Sequence, residues 1–226
     1  MKLLRSLLPV LVAVALAGCS TTPQNPAMTA ALAVLASTAG LHEKARACQE
    51  LGNIGGPAAV PALAALLNQE HLADYARSGL EGIKDPAAGA ALRTALPGLN
   101  GRFLAGAVNS LGVRRETAAV PDLQTLALDA KRGVAEEALA SLGMIASRDA
   151  TKTLQKVLAD GPAALRIPAA HASLVAAAQL AKADNLTAAR ELLDSVVRAL
   201  PPGHLATVAQ NQAAALGAKP AKAGSK

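Results

Sequence analysis

Residues 44–67 read KARACQELGNIGGPAAVPALAALL, and the fold follows from how the apolar residues in this stretch are spaced. Ala47 and Leu51 are four residues apart, so they share one face of a helix, and Ile54 extends that face. Gly55, Gly56 and Pro57 then interrupt the pattern as a turn. Val60, Leu63, Leu66 and Leu67 resume it at helical spacing. The stretch therefore predicts two helices joined by a tight turn. Neither helix can bury its apolar face alone.

The same pattern recurs along the chain. Leu51, Leu80, Leu111, Leu142 and Leu180 each have an alanine four residues earlier: Ala47, Ala76, Ala107, Ala138 and Ala176. Twelve residues after each comes Leu63, Leu92, Leu123, Leu154 or Leu192, and sixteen after comes Leu67, Leu96, Ala127, Leu158 or Val196. Successive first anchors are 29, 31, 31 and 38 residues apart. Periods of this size belong to stacked helical pairs, in which each unit buries its face against its neighbours. Small alanines beside large leucines allow the helices to approach closely. Ile54 recurs as Ile83 and Ile145, whereas the third unit has Val113 one position earlier and Arg114 at the matching place.

The stretch at 44–67, with AVNSLGVRRETAAVPDLQTLAL (107–128) and ALASLGMIASRDATKTLQKVL (138–158), resembles the HEAT-like repeats named after phycobilisome lyases. Leu51-Gly52, Leu111-Gly112 and Leu142-Gly143 match that repeat's Leu-Gly step. Ala59-Val60-Pro61 and Ala119-Val120-Pro121 match the start of its second helix. The second unit departs, with Glu81 in place of the glycine. The fifth, LAKADNLTAARELLDSVV at 180–197, is more similar to a tetratricopeptide pair. The resemblance implies an all-α, short right-handed α-solenoid of about five HEAT-like helical pairs. It implies little about activity, because this repeat serves many tasks. Its name brings with it one alternative, an accessory or enzyme of the chromophore-lyase type.

Composition agrees with a helical solenoid. Alanine, the strongest helix former, supplies 56 of 226 residues, and no run of alternating β-branched residues points to a sheet. End caps are predicted near 28–38 and 204–216, each with one wet face.

The N-terminus carries a second signal. Lys2 and Arg5 precede an apolar segment at 7–17, interrupted by Pro9 and too short to be a permanent membrane span. It ends in Leu16-Ala17-Gly18-Cys19, which resembles a bacterial lipobox. That resemblance implies cleavage before Cys19, acylation of its thiol and new amine, and a membrane anchor; an unmodified secretory signal is the alternative. Two or more acyl chains hold a protein at a membrane, at about 0.8 kcal/mol per buried CH₂. The absence of aspartate at Ser20 favours, by analogy, an outer-membrane location facing the periplasm. The expected order is a signal peptide at 1–18, lipidated cysteine and tether at 19–27, repeats with caps at 28–216, and a basic tail at 217–226.

The formal charge of +6 does not describe the repeats. Two of the cations are in the signal, and Lys219, Lys222 and Lys226 are in the tail. Residues 19–218 carry 17 basic and 16 acidic side chains, a net of +1. A nearly neutral, exported body argues against nucleic-acid binding. Apart from Cys19 the one thiol is Cys48, next to Ala47 on the first repeat helix. It reads as a small buried hydrophobe; the sharper alternative is a nucleophile, with Lys44 four residues back. The four histidines have no metal-site spacing, and no nucleophile elbow or phosphate loop is present. The reading is a membrane-anchored, non-catalytic protein-interaction scaffold with no cofactor and no metal, taken as a monomer. Beside the lyase-type accessory or enzyme, the other alternative is a purely structural envelope protein. Its partner is expected to be a protein.

Interfaces concentrate their energy on Trp, Tyr and Arg. The expected protein-binding patch is therefore Tyr75, Arg77, Arg93, Arg114 and Arg115, in the second and third units, with Arg114 and Arg115 in an exposed inter-helix turn. The competing reading is that these arginines solvate the turn and that Tyr75 packs between units.

Overall fold

The structure, a computed structural model, describes residues 25–217. The expected signal peptide, Cys19, most of the tether and the tail from residue 218 lie outside the described residues. Within them the chain forms twelve α-helices and no strand. Helix α1 (Pro26–Ala36) precedes five pairs: α2 (Leu41–Ile54) with α3 (Val60–Ala64), α4 (Ala73–Gly82) with α5 (Pro86–Ala95), α6 (Gly101–Val113) with α7 (Val120–Leu128), α8 (Ala135–Ile145) with α9 (Arg148–Asp160), and α10 (Ala163–Lys182) with α11 (Leu186–Ala199). Helix α12 (His204–Gly217) closes the stack. The protein is an all-α repeat stack.

Local chemistry sets the helix starts. Pro26 and Pro86 occupy first-turn positions, where a missing N–H has no intrahelical partner to lose. The side chains of Asn25 and Asp85 accept hydrogen bonds from the backbone N–H groups of Ala27 (3.0 Å) and Ala87 (2.8 Å). Because Asn25 is such a cap, the first helix begins two residues before the expected boundary. The turn at Gly55-Gly56-Pro57 tightens into a 3-10 turn at Pro57–Ala59 before α3.

The repeated anchors form one continuous core. Leu51, Leu63, Leu80, Leu92, Leu111, Leu123, Leu142, Leu154 and Leu192 are fully buried, and Leu180 nearly so. Their alanine partners four residues earlier are buried with them. Burying a leucine side chain contributes about 1.5–3 kcal/mol, so this series is the main source of stability. Ile83 and Ile145 are buried as expected. Ile54 lies at the edge, 36% exposed, because the chain leaves α2 there through the extended Gly55. Each end helix has one buried side, Met28 and Ala31 on α1 and Ala206 and Ala209 on α12.

Consecutive first helices pack backbone against backbone. A Cβ added at Gly52 would stand 2.9 Å from the Cα of Gly79, and one at Gly79 2.8 Å from the carbonyl oxygen of Cys48. One at Gly112 would stand 2.8 Å from the Cα of Ser141, and one at Gly143 2.6 Å from the carbonyl oxygen of Ala172. Distances this short exclude any side chain. The Leu-Gly step is therefore a packing requirement: leucine enters the core of its own unit while glycine admits the next unit's helix. Replacing Gly143 by Ala forces α8 and α10 apart and is expected to cost about 1–3 kcal/mol, the usual penalty for overpacking. Gly56→Ala, which meets nothing within 4 Å, should stay within about 0.5 kcal/mol of the parent. Urea unfolding followed by circular dichroism compares the two.

Candidate functional site

Between α4 and α6 the glycine seam is replaced by a polar joint, where Glu81 occupies the glycine position. The Ser110 hydroxyl, fully buried, donates to a Glu81 carboxylate oxygen at 2.6 Å. Arg77 donates to that hydroxyl at 3.0 Å and to the Gly106 carbonyl at 3.2 Å, and it pairs with Asp74 at 3.0 Å. Arg77 is thus a strut between units rather than a free surface cation. Arg114 is a larger departure from the exposed turn expected of it. At the position of Ile83 and Ile145, its guanidinium reaches back across the joint and donates to the carbonyls of Leu80 (2.6 Å), Ile83 and Asp85 (3.1 Å). The Leu80 and Ile83 carbonyls lie at the end of α4 and have no intrahelical donor, while the Asp85 carbonyl belongs to the cap of α5 and also accepts from the Ala88 N–H. Arg132 braces the 3-10 turn after α5 (Leu96–Gly98), donating to the Leu96 and Leu99 carbonyls at 2.9 Å each.

The other members of the expected patch are dispersed. Arg93 on α5 pairs with Asp122 on α7 at 2.8 Å, joining two second helices. Arg115 is exposed with a left-handed φ of 51° and donates to the Gln179 side chain of the fifth unit at 3.0 Å. Tyr75 is 40% exposed on α4. The structure does not bring Tyr75, Arg77, Arg93, Arg114 and Arg115 together as one outward patch. Arg77, Arg93 and Arg114 hold neighbouring units in register.

The fifth unit carries the more open feature. Its 38-residue spacing adds seven residues before Leu180, and α10 runs for 20 residues where the other first helices have 10 to 14. Seven residues are two helical turns. Pro168 lies inside this extension, has no N–H to give the carbonyl of Ala164, and is a kink-forming residue. Beside it, α8 and α10 flank an open groove of about 860 Å³. Its floor and walls include Ala140, Met144, Ile167, Pro168 and Val175. Ile167 and Val175 are 49% and 44% exposed, which is high for side chains so apolar. Glu136 and Glu137, both exposed and without an ion-pair partner, stand at the rim with His171. No lysine or arginine lines the groove. Composition could not reveal this groove. The longer last spacing was its signal.

Residues 45–69, most of α2 and α3, match the family described as the PBS lyase HEAT-like repeat. The chain is an all-helical repeat protein, and this unit of it matches a HEAT-like repeat. The matched unit contains the Gly52 contact and the Ala59-Val60-Pro61 start of α3, the two features that dictate how one pair stacks on the next. No curated protein matches the chain. Among the described residues no helix is long and apolar enough to cross a membrane, and no group of three or more His, Cys, Asp or Glu is placed to hold a metal ion.

Cys48 lies in the matched repeat, fully buried against the α4 seam. Burial pushes its thiol up to about 11. The nucleophilic reading would need an exposed, lowered thiol, and the structure supplies the opposite. Native protein at pH 8 should therefore react with a thiol-specific disulfide reagent orders of magnitude more slowly than protein in denaturant. The sign for stability follows, since the unfolded thiol ionises near 9 while the folded one keeps its proton. Cys48→Ala should flatten part of the loss of stability between pH 9 and 11. For the struts, Arg114→Ala strands carbonyls at the end of α4 and should cost about 1–3 kcal/mol in urea unfolding. Arg115→Ala and Tyr75→Ala, at exposed positions, should each change stability by about 0.5 kcal/mol or less.

Proposed function

We propose that this chain is an exported, lipid-anchored and non-catalytic interaction scaffold that docks a protein segment in the groove between α8 and α10. The groove carries the proposal. It exposes Ile167 and Val175 beside two carboxylates with no ion-pair partner among the described residues, and no cation lines it. The complementary occupant is a segment that presents apolar side chains together with a lysine or arginine. Apolar burial would supply the affinity and the Glu136–Glu137 rim the orientation.

Support for the anchor comes from the sequence, where Leu16-Ala17-Gly18-Cys19 follows a basic start and a short apolar segment. In this reading Cys19 fixes the protein to the bacterial envelope, with the repeats on the periplasmic face of the outer membrane. The polar stretch after Cys19 holds the stack off the bilayer. The repeats themselves do the binding, as is common for solenoids, whose units present an extended surface.

The test is capture of a tagged chain, at native level, from gently solubilised envelopes. A stoichiometric protein partner should be recovered with the parent and with Tyr75→Ala. Charging the groove through Ile167→Asp with Val175→Asp should weaken that recovery roughly 30-fold, as expected for losing about 2 kcal/mol at an interface centre. Both positions are solvent-exposed, so folding should survive the change. Cys19→Ser should abolish incorporation of labelled fatty acid and release the chain from the membrane fraction. Undiminished recovery with the charged groove would overturn the docking site, and membrane retention without Cys19 would overturn the anchor.

A further inference from the structure

Five arginines in the described chain are half-buried: Arg77, Arg93, Arg114, Arg132 and Arg166. Four of them have their guanidinium donors matched to a carboxylate or to carbonyl oxygens. The Nε–H groups of Arg114, Arg132 and Arg166 are all enclosed without a partner, but among the described residues Arg166 is the one of the five whose terminal N–H groups have no protein acceptor either. An enclosed N–H without an acceptor typically costs about 1–3 kcal/mol, which Arg114 and Arg132 offset through the bonds of their terminal N–H groups and Arg166 does not. Such a group either packs against something anionic or is kept for a ligand. Among the described residues no carboxylate stands within 4.0 Å of it.

Arg166 lines an open cavity of about 500 Å³ bordered by α9, α10 and α11. Arg198, from the last turn of α11, lines the same cavity and is also without a carboxylate. Its guanidinium donates to the Ser195 hydroxyl at 3.1 Å, which also accepts from the Gln155 side-chain amide at 3.4 Å. The Ser195 hydroxyl in turn donates to the Glu191 carbonyl at 2.8 Å, so it is held in place by its own helix. Two unneutralised guanidinium groups thus converge with a serine and a glutamine, and no acidic side chain lines the cavity. The volume falls within the range of small-molecule sites. Planar guanidinium groups match the paired oxygens of a carboxylate or phosphate.

We propose that the α9–α10–α11 cavity is a binding site for a small molecule bearing a phosphate or carboxylate group, with Arg166 and Arg198 as its charged clamp and Ser195 and Gln155 as neutral contacts. Arg166 is the inner member, where displaced water makes its charge count most. Arg198 is the outer one, exposed and able to swing onto an incoming anion. The site lies on a different face of α10 from the groove: Arg166 and Ile167 are neighbours in sequence and project about 100° apart. Its occupancy does not depend on the docking reading.

The purified full chain is titrated by calorimetry with inorganic phosphate and, separately, with succinate, each against sodium chloride at matched ionic strength. One of the two should bind saturably at one site, with a dissociation constant of about 1 mM or tighter. Which one binds tells phosphate from carboxylate. The Nε–H resonance of Arg166 should move in step with that titration. Arg166→Gln and Arg198→Gln should each weaken binding at least about tenfold. Arg148→Gln, at an exposed arginine outside the cavity, should not. Circular dichroism checks that each variant is folded, and Arg198→Gln keeps the test valid if the inner substitution does not fold. Heats no larger than those of chloride, or equal binding by the parent and Arg198→Gln, would overturn the site and leave both arginines as partners of the helix ends.

Discussion

The backbone contact between successive first helices governs the rest of this molecule. Gly52 against Gly79, Gly112 against Ser141 and Gly143 against Ala172 bring main chains together where no side chain can intervene. That closeness lets the leucine preceding each first-helix glycine seat fully in the core. It also dictates where the remaining volume must go. With the first helices in contact, the second helices need only moderate-sized residues between them, and alanine and leucine suffice. A chain with one tyrosine, one phenylalanine and no tryptophan can therefore still build a continuous core.

Where the contact is interrupted, the structure compensates with charge. Glu81 cannot sit in a glycine seam, so the α4–α6 joint is polar and its members are saturated: Ser110 bonds Glu81, and Arg77 bonds both Ser110 and Gly106. The same joint is crossed by Arg114, which closes off the carbonyl end of α4. A half-satisfied set here would cost more than an apolar one, which explains why several donors gather at a single joint. First-helix ends show a related division. In the last three units Arg115, Ala146 and Asp184, each four residues after the anchor leucine, adopt a left-handed φ of 51–59°. That conformation usually belongs to glycine and costs a side-chain-bearing residue about 1–2 kcal/mol. The hydrogen bonds from Glu116 to Leu111 and from Asn185 to Leu180 help offset it.

Much of this architecture was legible in the chain because period and packing share a cause. The alanine and leucine anchors are core residues in every unit, and the Leu-Gly step is a literal contact. Side-chain direction was the part that spacing could not supply. Arg114 was read as exposed because it lies in a turn, yet its long side chain folds back over an end of α4 that is some 30 residues earlier in sequence. Arginine is rich in donors, and helix ends are rich in unused acceptors. An arginine near a repeat joint therefore has an internal use competing with any interface role. In this chain the internal use takes Arg77, Arg93, Arg114 and Arg132.

That competition also explains why the open features gather in the fifth unit. In the regular units each half-buried arginine finds at least one acceptor in a neighbouring unit at standard spacing, forward for Arg77 and Arg93 and backward for Arg114 and Arg132. The two extra turns of α10 pack Leu165 and Ala169 on the core but leave Ile167 facing open space between α10 and the start of α8. Ile167 and Pro168 then border a groove on one side, while Arg166 borders a cavity on the other. Both are consequences of a single insertion. Exposed apolar side chains such as Val113 and Leu128 also occur in the regular units. Only the insertion in the fifth unit places exposed Ile167 and an arginine without an acceptor on adjoining positions, and those are groups free to recognise something else.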